Sequence, residues 1–295
     1  MKRAGSLIVI GLCAGWLLGT GSGGTGRTAG SAGSDGSGAW TELGPMGGNV
    51  RGLVRNPNSP SELYAATYAG LVYRSTNNGA RWSRRSALNV EIYDLAIDPK
   101  NSSILYALAY RQVFKSVNKG LTFTPSNLAQ DCSASNGRIA VHPSNPQVVF
   151  VIGTMSYDST NWKECLAVLK SANGGQTWTA TKLEPTSKWA YGYDIAVSPK
   201  NPSLVFACGF YYPEAGSDPK PAVFRSTNAG ATWKNVTSGV LLSEQYLYPY
   251  AVAVDPADAQ RAYVASNRGV FRTANMGATW AKQASPGWIG AYTLA

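Results

Sequence analysis

Short apolar runs, each ended by a turn-forming residue, recur along the chain from residue 52 onward. The first type ends in proline and occurs at 52–57, 94–99, 138–143, 194–199 and 251–256. A second type, an apolar residue followed by an aromatic one such as Leu63-Tyr64 or Val149-Phe150, comes shortly after each. Proline cannot donate to a β-ladder and tends to end a strand. The pattern therefore predicts pairs of short strands.

A third run leads into a motif that occurs five times. The motif starts at Ser75, Ser116, Ser171, Ser226 and Thr273, so successive copies are 41, 55, 55 and 47 residues apart. Each copy has Asn at its third position, Gly at its fifth and Trp or Phe at its eighth. We call this motif the repeat turn and expect a fourth strand after it. Four strands in each repeat are typical of one blade of a β-propeller.

The repeat turn resembles the Asp-box (BNR) motif Ser-x-Asp-x-Gly-x-Thr-Trp of sialidases, xyloglucanases, sortilin-type receptors and photosystem II assembly propellers. Asn replaces the box Asp in every copy, but an Asn carbonyl can also accept backbone N–H bonds across a turn. Gly allows positive φ there, and the aromatic residue can pack between sheets. The residues given this structural role are Ser75, Asn77, Gly79, Trp82, Ser116, Asn118, Gly120, Ser171, Asn173, Gly175, Trp178, Ser226, Asn228, Gly230, Trp233, Asn275, Gly277 and Trp280.

The resemblance implies an all-β propeller over residues 40–295, with five complete four-stranded blades and a partial sixth. Trp40-Thr-Glu-Leu43 is similar to the end of a box, and 289–294 to a first strand. Two interpretations stay open, a ring closed by a reduced blade or a truncated chain, and we favour truncation slightly. The residue before each repeat turn is basic, and we expect these five to form a solvated ring: Arg74, Lys115, Lys170, Arg225 and Arg272.

The N-terminal region has the features of an export signal. Lys2 and Arg3 precede an apolar stretch too short to span a bilayer comfortably. We assign residues 1–22 to a signal peptide and 23–39 to a Gly/Ser-rich linker. We expect a secreted, periplasmic or cell-surface protein, with membrane attachment only if Cys13 is lipidated. The net charge of +10 is spread without runs, so we expect no nucleic-acid partner.

Three cysteines remain after export. In an oxidising compartment we expect one disulfide and one buried thiol. A Cys132–Cys165 bridge on the third blade is favoured, and a Cys165–Cys208 bridge between adjacent blades is the alternative. No cysteine has metal-ligand spacing, and we expect neither a metal site nor a cofactor.

The long loops all fall on the face opposite the repeat turns, because strands alternate in direction within a blade. Loops on a rigid scaffold often carry function, and exposed aromatic rings can stack on sugars or anchor peptides. We predict binding of a glycan or an extracytoplasmic protein through this face. The candidate ligand-binding residues are Tyr93, Arg138, Tyr157, Trp162, Trp189, Tyr193, Tyr211, Tyr212 and Tyr250.

Catalysis is the competing hypothesis. Asp94 and Asp194 occupy equivalent positions two blades apart, at the predicted mouth of the central channel. They could act as the two carboxyl groups of a glycoside hydrolase, although Arg138 between them would lower the pKa of one. The first repeat is similar to the first blade of xyloglucanases, but Tyr68 stands where those enzymes have a catalytic Asp. The arginine triad and Tyr–Glu pair of sialidases do not transfer either. We therefore favour a non-catalytic binding protein.

Overall fold

The computed structural model describes residues 48–129, 131–158, 163–183 and 187–283. The predicted signal peptide, linker and partial sixth blade lie outside these residues. Among the residues described, no helix is both long and apolar enough to cross a membrane.

The described chain forms five antiparallel sheets, and in each one four strands follow one another in sequence order. The first sheet contains β1 (Val50–Arg55), β2 (Leu63–Thr67), β3 (Leu71–Ser75) and β4 (Ser83–Ala87). The second contains β5 (Ile92–Ile97), β6 (Leu105–Ala109), β7 (Gln112–Ser116) and β8 (Thr124–Asn127). The third contains β10 (Ile139–Val141), β11 (Val149–Asp158), β12 (Lys163–Ser171) and β13 (Thr179–Lys182), with the short β9 (Cys132–Ser133) also paired to β11.

The fourth sheet contains β14 (Trp189–Val197), β15 (Val205–Tyr212), β16 (Lys220–Ser226) and β17 (Lys234–Asn235). A single helical turn, α1 (Val240–Ser243), leads to the fifth sheet. That sheet contains β18 (Pro249–Val254), β19 (Ala262–Ser266), β20 (Gly269–Thr273) and β21 (Ala281–Lys282). The predicted all-β class and four-strand repeat are confirmed for these five sheets.

The hydrophobic core is divided into four clusters, one between each pair of consecutive sheets. Tyr64 and Leu105 belong to the first, Tyr106 and Val151 to the second. Further along the chain, Phe150 packs with Val205 and Phe206 packs with Val264. The sheets therefore pack face to face in sequence order.

The first strands of consecutive sheets also touch, giving the contacts β1–β5, β5–β10, β10–β14 and β14–β18. Within the described ranges, no contact of comparable extent joins β18 to β1.

The five repeat turns share one hydrogen-bonding pattern. In the fourth sheet, the Ser226 hydroxyl donates to Asn228 Oδ1 at 2.9 Å and accepts from the Gly230 N–H at 2.8 Å. Asn228 Oδ1 also accepts from the Thr232 N–H at 2.8 Å. The equivalent bonds occur in the other four turns. The Asn carbonyl thus accepts the backbone bond, as its chemistry predicts.

The aromatic residue of the repeat turn packs against the preceding sheet. Trp280 is buried in the cluster between the fourth and fifth sheets, and its Nε1 donates to the Val236 carbonyl at 3.0 Å. Trp178 packs on the cluster between the second and third sheets, where its Nε1 donates to Ser126 Oγ at 3.2 Å. Phe123 and Trp233 occupy the corresponding places in the other two clusters.

The five basic residues do not form a solvated ring, contrary to our expectation. Lys115 Nζ donates to the Gly174 carbonyl at 2.8 Å, and Lys170 Nζ to the Ala229 carbonyl at 2.7 Å. Arg225 Nη1 donates to the Met276 carbonyl at 2.6 Å. Each acceptor lies inside the repeat turn of the next sheet, and Arg74 pairs instead with Glu62 in its own sheet. Three of the five basic side chains therefore form hydrogen bonds that join one sheet to the next.

The predicted Cys132–Cys165 disulfide is not formed. Both residues are buried thiols in the structure. Met155 of β11 is the ladder partner of both cysteines: Cys132 lies in β9 on one side of β11, and Cys165 lies in β12 on the other side. Two strand spacings separate them, which is about 10 Å and beyond the Cα separation that a disulfide bridges. Cys208 is likewise a buried thiol, so the alternative bridge to Cys165 is not formed either.

Candidate functional site

The candidate site is built on strands that are longer than the repeat requires. The fourth sheet pairs Trp189 with Tyr212 and Tyr191 with Phe210, at the end of the sheet opposite its repeat turn. The fifth sheet begins beside them with Pro249. We call seven rings at this end the aromatic cluster: Trp189, Tyr191, Tyr193, Phe210, Tyr212, Tyr248 and Tyr250.

Phe210 lies at the centre of the aromatic cluster. Its ring stacks on Tyr191 with centroids 5.1 Å apart and on Tyr193 at 5.6 Å. It also makes an edge contact with Tyr248 at 4.7 Å. Phe210 is buried, so it supports the other rings from below. The sequence prediction missed this residue, although its position in the run Phe210-Tyr-Tyr212 beyond the repeat length was a usable signal.

The outer rings of the cluster face solvent. Trp189 is 40% exposed and Tyr191 is 39% exposed. Trp189 makes an edge contact with Tyr212 at 6.2 Å, which limits its orientations. The result is an exposed aromatic surface held by a buried ring, which is the arrangement that recognises flat or apolar ligand faces.

The phenol groups of Tyr191, Tyr193 and Tyr248 are uncharged at neutral pH. Burial, followed by a hydrogen bond with Tyr212, raises the pKa of Tyr248 to about 12. Burial also raises the pKa of Tyr191 and Tyr193. The surface therefore offers neutral rings and neutral hydroxyl groups.

The structure gathers some of the predicted ligand-binding residues and separates others. Trp189, Tyr193, Tyr212 and Tyr250 belong to the aromatic cluster, whereas Tyr211 alternates to the opposite side of β15 and packs toward the third sheet. The side chain of Tyr157 and the whole of Trp162 lie outside the described residues.

Tyr93 belongs to a different group of side chains, on the second sheet. Its hydroxyl donates to Glu91 Oε2 at 2.9 Å, and its ring makes an edge contact with Tyr68 at 5.9 Å. A hydrogen bond to Glu91 is also the main cause of the raised pKa of Tyr68. Arg138 joins this region through Nη1, which donates to the Tyr93 carbonyl at 3.1 Å. Glu91 is a carboxylate that the sequence prediction missed, because it lies in a loop outside the repeats.

A groove of about 500 Å³ lies next to Glu91 on the second sheet. Its lining includes Tyr110, Arg111, Gln112 and Asn127, with Gln112 Nε2 donating to Asn127 Oδ1 at 2.9 Å. The groove lies at the loop end of the sheet, as the aromatic cluster does.

Asp94 and Asp194 both accept hydrogen bonds from the backbone of the next sheet. Asp94 Oδ2 accepts from the Ile139 N–H at 3.0 Å, and Asp194 Oδ2 accepts from the Val252 N–H at 2.8 Å. Asp194 Oδ1 further accepts from the Ile195 N–H at 2.9 Å. The equivalent position in the first sheet is Gly52, where an added Cβ would lie 2.5 Å from the Leu95 nitrogen. At these positions, the first strand of one sheet therefore contacts the first strand of the next sheet.

Burial raises the pKa of both carboxyl groups, and that of Asp194 reaches about 6. The Arg138 charge lowers both, but less than burial raises them. Our expectation that Arg138 would bring one pKa below its ordinary value was therefore wrong.

The first strands contain a β-bulge just before this position. The register shifts between Ile92 and Asp94, between Gly192 and Asp194, and between Pro249 and Ala251. The residues at these bulges are Tyr93, Tyr193 and Tyr250. A bulge redirects a side chain relative to its sheet, so the repeated bulge explains why these tyrosines contact rings of other strands or sheets.

Residues 14–286 of the chain match the family model described as the DUF6242 beta propeller domain. A curated relative, the probable oligoxyloglucan-reducing end-specific xyloglucanase of Neosartorya fischeri, is 25% identical over 254 residues. That alignment covers 75% of this chain and 28% of the relative, so the chain spans less than a third of that protein.

Two solved structures share the fold at lower identity. An ancestral GH74 enzyme superposes with a TM-score of 0.58 at 20% identity, covering 76% of this chain and 30% of that one. The structure of YCF48 bound to D1 peptide superposes with a TM-score of 0.53 at 14% identity, covering 82% and 70%. The sheets, their order and the matched family model agree, and the chain belongs to the DUF6242 beta propeller domain family.

Proposed function

We propose that this protein is an extracytoplasmic, non-catalytic propeller that binds a glycan through the aromatic cluster. The observation that carries the proposal is the exposure of Trp189 and Tyr191 over the buried ring of Phe210. Neutral aromatic faces stack on sugar rings, and neighbouring hydroxyl groups supply hydrogen bonds to them. The relationship to a xyloglucanase supports a polysaccharide as the ligand class.

The test is a binding screen against soluble polysaccharides, starting with xyloglucan and its oligosaccharides. Trp189→Ala should weaken binding at least tenfold, which corresponds to about 1.4 kcal/mol. Tyr110→Ala is the matched control, because Tyr110 is exposed at the same end of the molecule but outside the aromatic cluster. Far-ultraviolet circular dichroism of both variants would check that the fold is retained.

Two outcomes would contradict the proposal. One is a glycan affinity that Tyr110→Ala reduces and Trp189→Ala does not, because binding would then lie at the groove of the second sheet. The other is the absence of any glycan affinity together with binding of an extracytoplasmic protein.

A glycoside hydrolase that uses Asp94 and Asp194 is the second candidate. It is favoured by the raised pKa of Asp194, since a carboxyl group that keeps its proton near pH 6 can act as a general acid. Against it, both carboxylates already accept backbone N–H bonds between sheets. Release of reducing ends from a polysaccharide, abolished by Asp94→Asn in a folded variant, would establish this candidate instead.

A further inference from the structure

A second groove lies at the loop end of the fourth sheet, and we call it the β16 groove. It has a volume of about 420 Å³ and lies between the first residues of β16 and the segment that joins α1 to β18. Pro221 in its wall is the ladder partner of Phe210 in β15. Since Phe210 is the buried ring at the centre of the aromatic cluster, the β16 groove begins on the next strand of the same sheet.

Tyr246 presents an exposed ring at the β16 groove. It is 43% exposed, a value close to those of Trp189 and Tyr191 in the aromatic cluster. Two positions further along the chain is Tyr248, whose ring makes the edge contact with Phe210. Exposed rings therefore occur both in the aromatic cluster and at the groove beside it.

The backbone of Tyr246 has a conformation that few tyrosines adopt. Its φ is 53°, in the left-handed region, where a bulky residue is a clear outlier. Asparagine and aspartate tolerate this region better. Outside the repeat turns, Tyr246 is the only described residue with positive φ that is neither glycine, asparagine nor aspartate.

The hairpin between β19 and β20 holds the backbone of Tyr246 in this conformation. Asn267 Nδ2 donates to the Tyr246 carbonyl at 2.8 Å, and Asn267 Oδ1 accepts from the Tyr248 N–H at 2.8 Å. Arg268 Nε donates to the Gln245 carbonyl at 3.1 Å. Backbone strain persists only where the surrounding structure enforces it, and such places are concentrated at ligand-binding sites.

The β16 groove also supplies hydrogen-bonding groups beside the ring. Asp218 accepts a hydrogen bond from the Tyr246 hydroxyl, and this bond is the main cause of the raised pKa of Tyr246. Lys220 lines the same groove. A carboxylate can accept hydrogen bonds from the hydroxyl groups of a sugar, and an ammonium group can donate to them.

We propose, on the basis of the glycan-binding function proposed above, that the β16 groove is a second subsite for further sugar units of the same glycan chain. Neighbouring strands lie about 4.8 Å apart, so β14, which carries Trp189 and Tyr191, is about 10 Å from β16. A single sugar ring does not reach both strands. The ligand is therefore a chain of sugar units that lies across the end of the fourth sheet.

The experiment measures the affinity of the full chain for xyloglucan oligosaccharides of increasing length by isothermal titration calorimetry. Wild-type affinity should rise with length until the β16 groove is filled. Tyr246→Ala should weaken binding of the long oligosaccharides about tenfold and leave binding of the shortest bound one unchanged. Trp189→Ala should weaken binding at every length, because all these ligands contact the aromatic cluster.

Tyr246→Asn separates loss of the contact from loss of the fold. Asparagine adopts positive φ more readily than tyrosine, so this variant should melt at or above the wild-type temperature and still lose affinity for the long oligosaccharides. Tyr110→Ala is the matched control, because Tyr110 is an exposed tyrosine at the same end of the molecule. It should bind oligosaccharides of every length as the wild type does.

The outcomes distinguish this proposal from the function on which it rests. A wild-type protein that binds no oligosaccharide of any length would overturn both. A wild-type protein that binds, together with a Tyr246→Ala variant whose affinities are unchanged or fall equally at every length, would overturn the second subsite alone. Full affinity of Tyr246→Asn for the long oligosaccharides would overturn it as well.

Discussion

The side chain of the repeat asparagine forms two kinds of hydrogen bond in the same turn. Asn228 Oδ1 accepts from the Ser226 hydroxyl and from the Thr232 N–H, whereas Asn228 Nδ2 donates to Thr232 Oγ1 at 2.8 Å. An aspartate at this position would still accept the two bonds that Asn228 Oδ1 accepts. It could not donate to Thr232 Oγ1, but the Thr232 hydroxyl could donate to its carboxylate instead. At the scale of one residue, the Asn-for-Asp difference is therefore mild.

We expect Asn228→Ala to lower the free energy of unfolding by about 1–3 kcal/mol, because it leaves the Thr232 N–H and the Ser226 hydroxyl without their acceptor. Asn228→Asp should change it by less than about 0.5 kcal/mol. Urea denaturation of the two variants beside the wild type would measure both values. Equal losses in both variants would mean that the carbonyl bonds are not what stabilises the turn.

At the scale of the elements, each sheet is stabilised chiefly by its neighbours. The Gly230 turn packs on Phe150 and receives Lys170, both from the preceding sheet. These contacts join residues more than fifty positions apart. Local sequence patterns specify the turn itself, because Ser226, Asn228 and Gly230 bond to one another, but they give no information on which distant side chain covers it.

Gly230→Ala and Gly216→Ala provide a matched pair for this packing. Both glycines have positive φ, 78° and 77°, so each substitution costs about 1–2 kcal/mol in backbone strain. Gly230→Ala also pushes a Cβ into the Phe150 ring, and overpacking of this kind typically costs a further 1–3 kcal/mol, approximately. Gly216 has open space instead.

We therefore expect Gly230→Ala to be the more destabilising of the two in urea denaturation, by about 1–3 kcal/mol. Similar losses for the two variants would show that the contact between the turn and the preceding sheet contributes little.

At the scale of the whole molecule, the repeats were enough to predict five four-stranded sheets and the position of every repeat turn. The same repeats misled us about contacts between sheets. Lys115, Lys170 and Arg225 looked solvated because their acceptors are carbonyl groups, which have no sequence signature. Cys132 and Cys165 looked close because they share one end of a sheet, but β11 lies between them. Phe210 was overlooked because its burial depends on four neighbouring rings, which come from β14, from β15 and from the residue before β18.

The free energy of unfolding depends on pH through Asp194 of β14. Its pKa is about 6 in the folded protein, against 3.8 for an unperturbed aspartate, and burial is the main cause. Between these values the folded state holds a proton that the unfolded state has released. The free energy of unfolding therefore falls as pH rises through this window, and the loss persists above it.

Asp194→Asn isolates this contribution, because the amide oxygen can still accept from the Val252 N–H but cannot ionise. Other carboxyl groups titrate in both proteins, so their effect cancels in the difference between the two unfolding free energies. We expect that difference, wild type minus variant, to decrease by about 1–3 kcal/mol between pH 4 and pH 7, since one pKa unit corresponds to roughly 1.4 kcal/mol. Urea denaturation at each pH would give the values. A difference that stays constant or increases with pH would mean that Asp194 is ionised at little cost, and that its bond to the fifth sheet is made by a carboxylate across the whole range.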